Sequence, residues 1–309
     1  MSLFGDALVP HPHKTWGLIK EGVDERSNKA RALCNELYQK FSLYSDSDFV
    51  QRFHAEFFQR FWEMDLACTL IDIGKDLSEE LSGDEGPDIC IRNEPGRYTW
   101  IEAICPERGN TKDRVTKPVD QHSFQIDSKK IILRITNAIA TKHIQHQRHV
   151  DNGICSVDAP FIIAINGCQL APGPSEVLTP RIVKAVFEGG DDVIQFDSKS
   201  GRVTDKWCEN RRHIEKHNKE KINPGYFMQE EYSSISAVLY SDSCYSTRPS
   251  EAGEDYVLVH NPFANNPLRE GFLGAGLEYS TNKTNILSGE GYPLNINSYR
   301  RAKYLYSAL

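Results

Sequence analysis

The chain has 309 residues, 39 % of them apolar and 26 % charged, with a formal net charge of −7 at pH 7. That balance belongs to a soluble globular protein able to bury a full core, and the acidic sign weighs against nucleic acid as a partner, although net charge hides local clusters. No apolar run reaches about 18 residues and the chain starts with no basic-then-apolar leader, so a cytoplasmic protein without a membrane partner is expected. Eight cysteines, at 34, 68, 90, 105, 155, 168, 208 and 244, include no Cys-x-x-Cys pair, which argues against a zinc ribbon and a disulfide scaffold.

Residues 24 to 44 carry charges with Ala, Leu and Tyr at helical spacing, and Ser45-Asp46-Ser47-Asp48 offers an N-cap for a second helical segment. From Phe49 to about Leu77 the pattern predicts one longer helix, with Phe53, Phe57, Phe61, Met64, Cys68 and Ile71 on one stripe and a close near Gly74. Glu63 falls in the arc of Leu66, Ala67 and Leu70, so it points at the core and needs a partner. The turn-rich 81–87 leads to a strand from Asp88 to Arg92, a turn at 93–96 and a strand from Tyr98 to Cys105, which together read as a hairpin. A strong helix is predicted over 127–150 and a strand of buried type over 160–166.

The order helix, hairpin, helix, strand indicates an α/β fold with a mixed central sheet flanked by helices. Further on, 168–180 reads as loop, 181–188 as a short helix, 191–208 as a hairpin around Ser200-Gly201, 235–240 and 255–260 as strands, and 261–309 as irregular. No repeat or low-complexity linker divides the chain. One domain over 1–309 is expected, with an N-terminal helical extension to residue 48, a core over 49–166 and further strands with an irregular region after 167. The net basic segment between Lys199 and Lys221 reads as a solvated helix face or as a contact for phosphates.

Asp88 and Glu102 carry the strongest signal of chemistry. The hairpin brings the two carboxylates together, with Glu102 on the face of Trp100 and Ile104. Two acids held close on a mostly apolar sheet repel and are poorly solvated unless a divalent metal sits between them. The plainer alternative is that Asp88 caps a turn and Glu102 lies at a strand edge. On the following helix, Lys142 lies within about 20° of Ile131 and Ile135, inside an apolar stripe completed by Ala138, where a lysine is unexpected. It either snorkels from the stripe or reaches a buried partner.

Pro87-Asp88, Glu102-Ala103 and Phe61-Trp62-Glu63 ahead of Leu66-Ala67 resemble the motifs of the PD-(D/E)XK nuclease-like superfamily. The resemblance covers roughly residues 50–166 and implies a restriction-endonuclease-like core. It implies that Asp88, Glu102 and the main-chain carbonyl of Ala103 hold one Mg²⁺ or Mn²⁺, with Glu63 completing the shell directly or through water. Ile104 stands where the superfamily has its lysine, and isoleucine can neither orient water nor stabilise charge on phosphate. Some members supply that lysine from the neighbouring helix, a role that Lys142 fits. Gln145 would then bond the phosphate or a metal water, and Arg134, about 80° round the helix from Lys142, would contact the nucleic-acid backbone.

Competing signals are weaker. His143, His146 and His149 at i, i+3 and i+6, and His213 with His217 at i, i+4, have the spacing of helical zinc ligands but no zinc-protease Glu. Ser241-Asp242-Ser243-Cys244 lacks nucleophile-elbow glycines, and His260 has no evident partner. The sequence supports two functions. The first is a metal-dependent nuclease, acting on DNA before RNA. The second is a nuclease-like fold that has lost its chemistry and binds nucleic acid or protein. A small-molecule α/β enzyme ranks last for want of a Gly-rich phosphate loop.

Overall fold

The computed structural model describes residues 2–5, 11–79, 86–117, 127–170, 179–281 and 295–299. The turn at 81–87 therefore lies mostly outside the described residues, as does much of the loop at 168–180. Four helices come first: α1 (Lys14–Glu21), α2 (Glu25–Phe41), α3 (Phe49–Ala55) and α4 (Phe57–Asp72). Asp24 caps α2 by accepting from the Ser27 N–H, which satisfies one of the free donors of the first turn.

The single helix expected from Phe49 onward is broken at Glu56, whose φ of −110° and ψ of 42° leave the helical region. The aromatic stripe nevertheless runs through the break. Ring centroids of Phe49 and Phe53, Phe53 and Phe57, and Phe57 and Phe61 lie 6.0, 5.2 and 6.1 Å apart. Gly74, at φ +85° just after α4, takes the left-handed conformation that ends the segment.

The hairpin comes next as β1 (Ile89–Glu94) and β2 (Arg97–Ile104), then α5 (Ser128–Asp151), β3 (Phe161–Asn166) and α6 (Arg181–Val186). After these stand β4 (Gly189–Phe196), β5 (Val203–Asn210), the two-residue strands β6 (Ile214–Glu215) and β7 (Lys221–Ile222), and then β8 (Ala237–Ser241), β9 (Val257–His260), β10 (Gly276–Ser280) and β11 (Asn295–Tyr299). The region after 261 is thus not wholly irregular, since β10 pairs parallel with β9 and antiparallel with β11. The basic segment is not a helix either: it folds into β5 and the β6–β7 hairpin, so His213 and His217 do not form a helical pair.

The protein is α/β, with a mixed central sheet in the order β1-β2-β3-β8-β9-β10-β11. β1 and β2 are antiparallel, whereas β2, β3 and β8 run parallel, so α5 is the crossover between β2 and β3. Alternation along the strands divides the core. Ile101, Ala103, Ile162 and Ala164 face the layer of α1 to α4, while Trp100, Ile163 and Ile165 face α5 and α6. β3 is buried along its whole length, as a strand covered on both faces must be. Among the described residues no helix is long and apolar enough to cross a membrane, and all eight cysteines are free thiols.

Candidate functional site

The β1–β2 register pairs Ile89 with Ile101, so one step further Asp88 stands opposite Glu102. Two inward-facing helices converge on this point from opposite faces of the sheet. α4 brings Glu63, and α5 brings Lys142, which is only 8 % exposed. The Lys142 ammonium donates to Glu102 Oε2 at 2.7 Å and to Asp88 Oδ2 at 3.2 Å. Asp88 Oδ2 also accepts the Ala103 N–H at 2.7 Å, which ties the start of β1 to the end of β2.

Glu102 is fully buried. Its second oxygen, Oε1, faces His149 Nε2 at 3.2 Å. His149 was legible as part of a histidine row but not as a partner of this carboxylate, although its place seven residues after Lys142 puts both on one stripe of α5. The other two histidines of the row serve the core. His146 stacks on Phe161 with centroids 3.7 Å apart, and His143 bonds Ser234 at 2.9 Å. Burial, with His143 and His149 nearby, pushes the His146 pKa down to about 4.

Glu63 finds the partner that its position demands in Arg60, whose Nη1 donates to Oε2 at 2.6 Å. Gln59 binds three groups: its Nε2 donates to Glu63 Oε1 at 2.8 Å and to the Ala103 carbonyl at 3.1 Å, and its Oε1 accepts the Cys105 N–H at 2.7 Å. Neither Arg60 nor Gln59 was singled out by the sequence, yet they stand three and four residues before Glu63, on its own side of the helix. Burial, reinforced by the charge of Asp88, pushes the Glu63 pKa up to about 8 despite Arg60. Burial also raises the Glu102 pKa. For Lys142 burial works against the charge, but Asp88 and Glu102 outweigh it and raise the pKa above the ordinary value. The ammonium is therefore fixed in its charged form.

These side chains border a cavity of about 370 Å³ lined by Arg52, Glu56, Ile104, Gln145 and His149 among others. Ile104 lies on its wall. Gln145 lines the same cavity, whereas Arg134 does not: its Nε donates to the Glu107 carbonyl at 2.7 Å and its side chain borders a separate cavity.

The donor set can be tested against a divalent cation. Asp46, Glu56, Glu63, Asp88 and Glu102 gather here with Arg52, Arg60 and Lys142, which leaves two carboxylates in excess. Both hydrogen bonds to Asp88 fall on Oδ2. Among the described residues no group of three or more His, Cys, Asp or Glu side chains is arranged to hold a metal. Mg²⁺ does not need one, because it keeps several waters and is held by one or two carboxylates. Asp88 Oδ1 and the Ala103 carbonyl are hard oxygen donors of that kind and fit it, whereas Glu102, fully buried with Oε2 on Lys142 and Oε1 facing His149, would have to exchange one of these contacts for the ion. Glu63, tethered to Arg60 and Gln59, would act through water.

Compared with protein-family models, with curated proteins and with solved structures, the chain gives no match.

Proposed function

We propose that this protein is a metal-dependent nuclease with a restriction-endonuclease-like core, hydrolysing phosphodiester bonds of nucleic acid, DNA before RNA. The observation that carries the reading is Lys142, which leaves an apolar helix stripe to lie 2.7 and 3.2 Å from the two hairpin carboxylates. A lysine with no buried partner would be expected to reach solvent instead.

In this reading Asp88, Glu102 and the Ala103 carbonyl hold Mg²⁺ or Mn²⁺. When bound, the ion lowers the pKa of its water and neutralises charge on the phosphate. Lys142, kept protonated, orients the attacking water or steadies charge on the phosphoryl oxygens, as the strand lysine of the superfamily does. Gln145 supplies an amide donor to the phosphate from the same cavity wall. His149 braces the inner oxygen of Glu102, and Gln59 holds the Ala103 carbonyl in place.

The test is cleavage of plasmid and single-stranded substrates with Mg²⁺ or Mn²⁺ by wild type, Asp88→Ala, Glu102→Ala and Lys142→Ala. Cleavage by wild type that is lost in all three variants is expected. Activity unchanged in both carboxylate variants would overturn the assignment. A second reading, a nuclease-like fold that binds nucleic acid or protein without cleaving it, is favoured by Ile104 at the lysine position and by the net charge of −7. Binding with no cleavage in any metal would support it.

A further inference from the structure

The larger cavity, about 600 Å³, is built by the other half of α5 together with the loop at 109–113, the β6–β7 hairpin and Tyr226. Its cations are Lys112, Arg134 and Lys216, and its acids are Asp113 and Glu220. The acids are already engaged. Lys216 donates to Glu220 Oε2 at 3.1 Å, and Asp113 Oδ1 accepts the His217 N–H at 2.9 Å.

Lys112 and Arg134 make no ion pair among the described residues, and with the charge of Asp113 set against them one cation is left in excess. Lys112 is exposed and meets no partner among the described residues. Among the described residues Arg134 engages only its Nε, on the Glu107 carbonyl, which leaves its terminal amino groups facing the cavity lining. Gly109 keeps the loop close to that guanidinium: it has φ +82°, and a Cβ there would sit 3.4 Å from Arg134 Nη1. Around these cations stand the amides of Asn110 and Asn137, and the apolar floor is Leu133, Ile222 and Tyr226. Paired cations beside amide donors and an apolar surface suit a phosphate joined to a sugar and a base.

We propose that this cavity binds a phosphate ester of nucleotide size, with the phosphate on Lys112 and Arg134. The same chemistry is offered by a free mononucleotide and by one unit of a nucleic-acid strand. Binding here does not depend on the carboxylate cluster, and it is measured without metal and without cleavage. Loss of the nuclease reading would leave this measurement intact.

The experiment is calorimetric titration in EDTA with adenosine monophosphate and with a single-stranded DNA 12-mer, on wild type, Lys112→Gln, Arg134→Lys and the pair Lys112→Gln with Arg134→Gln. Saturable binding of at least one probe is expected. It should weaken by about threefold or more in Lys112→Gln, which breaks no hydrogen bond of the fold, and by about tenfold or more in the double variant, with Arg134→Lys in between. For the 12-mer, the slope of log K against log salt should fall by about 0.7 per cation removed. Loss of mononucleotide affinity identifies a free nucleotide as the ligand, and loss confined to the 12-mer identifies a strand. No binding of either probe, or affinities unchanged in Lys112→Gln and the double variant, would overturn the proposal.

Discussion

Lys142→Met removes the one cation that bridges Asp88 and Glu102 while keeping the length and apolar stem of the side chain. At an effective dielectric constant near 20, an ammonium 2.7 Å from one carboxylate oxygen and 3.2 Å from another gains about 6 and about 5 kcal/mol of gross attraction. Much of that offsets the cost of burying the ammonium, so breaking the pair should destabilise the fold by about 3–5 kcal/mol. At about 2–4 °C per kcal/mol for a chain of this order of size, the melting temperature should drop by roughly 6–20 °C. The drop should depend on pH. The Glu102 pKa is already raised by burial and loses its opposing cation in the variant. A carboxylate with a raised folded pKa costs nothing below its unfolded value and destabilises progressively as pH rises through its folded value. The deficit should therefore be small near pH 4.5 and largest near pH 8. Mg²⁺ should return part of it at pH 8, about 2.7 kcal/mol at a hundred times its Kd. Melting followed by circular dichroism across pH 4.5–8, with and without Mg²⁺, measures all three effects. A variant that melts within 1 or 2 °C of wild type at pH 8 would refute the claim that the ammonium neutralises the pair.

Gln59→Leu removes the bridge between Glu63, the Ala103 carbonyl and the Cys105 N–H, and should cost about 2–3 kcal/mol by denaturant titration, with weaker Mg²⁺ binding by calorimetry. His149→Leu removes the Nε2 that faces Glu102 Oε1 at 3.2 Å and should cost about 1–3 kcal/mol, most of it recovered by His149→Gln, which retains a polar group there. His146 has a folded pKa of about 4, below its ordinary 6.5, so stability is intact above pH 6.5 and is lost as pH falls toward 4, by roughly 3 kcal/mol. His146→Phe, which can still stack on Phe161, should remove that part of the acid sensitivity in melts between pH 7 and 4.

The hairpin, α5 and β3 were legible because local pattern and tertiary role agree there: alternation for a strand with two different faces, a helical stripe for α5, and an unbroken apolar run for a strand covered on both sides. The break at Glu56 was not, because the aromatic stripe continues through it and only the backbone departs. β10 opens on Gly276, at φ +70°, where a Cβ would strike the Tyr256 carbonyl. A glycine required by a distant strand reads locally as loop. The charges at 215–220 misled for a different reason. Lys216 meets Glu220 and Lys219 meets Glu215, the spacing of a helical pair, but in a tight hairpin residues four apart also come together. At the site, Glu102, Glu63 and Lys142 were legible because each is a charge on a core-facing position, and Asp88 because it opens a strand after a Gly-Pro turn. Gln59 and Arg60 were not, since their roles depend on where the first turn of α4 meets the end of β2.

The topology explains how a lysine on α5 reaches Glu102 on β2. Glu102 and Ile104 share the sheet face that α5 covers as it crosses from β2 to β3. Any residue on the inward stripe of α5 level with Glu102 can reach the same space as a side chain at position 104. A cation is needed there whichever element supplies it, because Glu102 is fully buried and an unpaired buried carboxylate is costly. Ile104 on the strand and Lys142 on the helix border the same cavity, with apolar surface at one position and charge at the other. Ile104→Lys combined with Lys142→Met should then be more stable than Lys142→Met alone, by melting at pH 8. Double and single variants of equal stability would show that the two positions do not share one space.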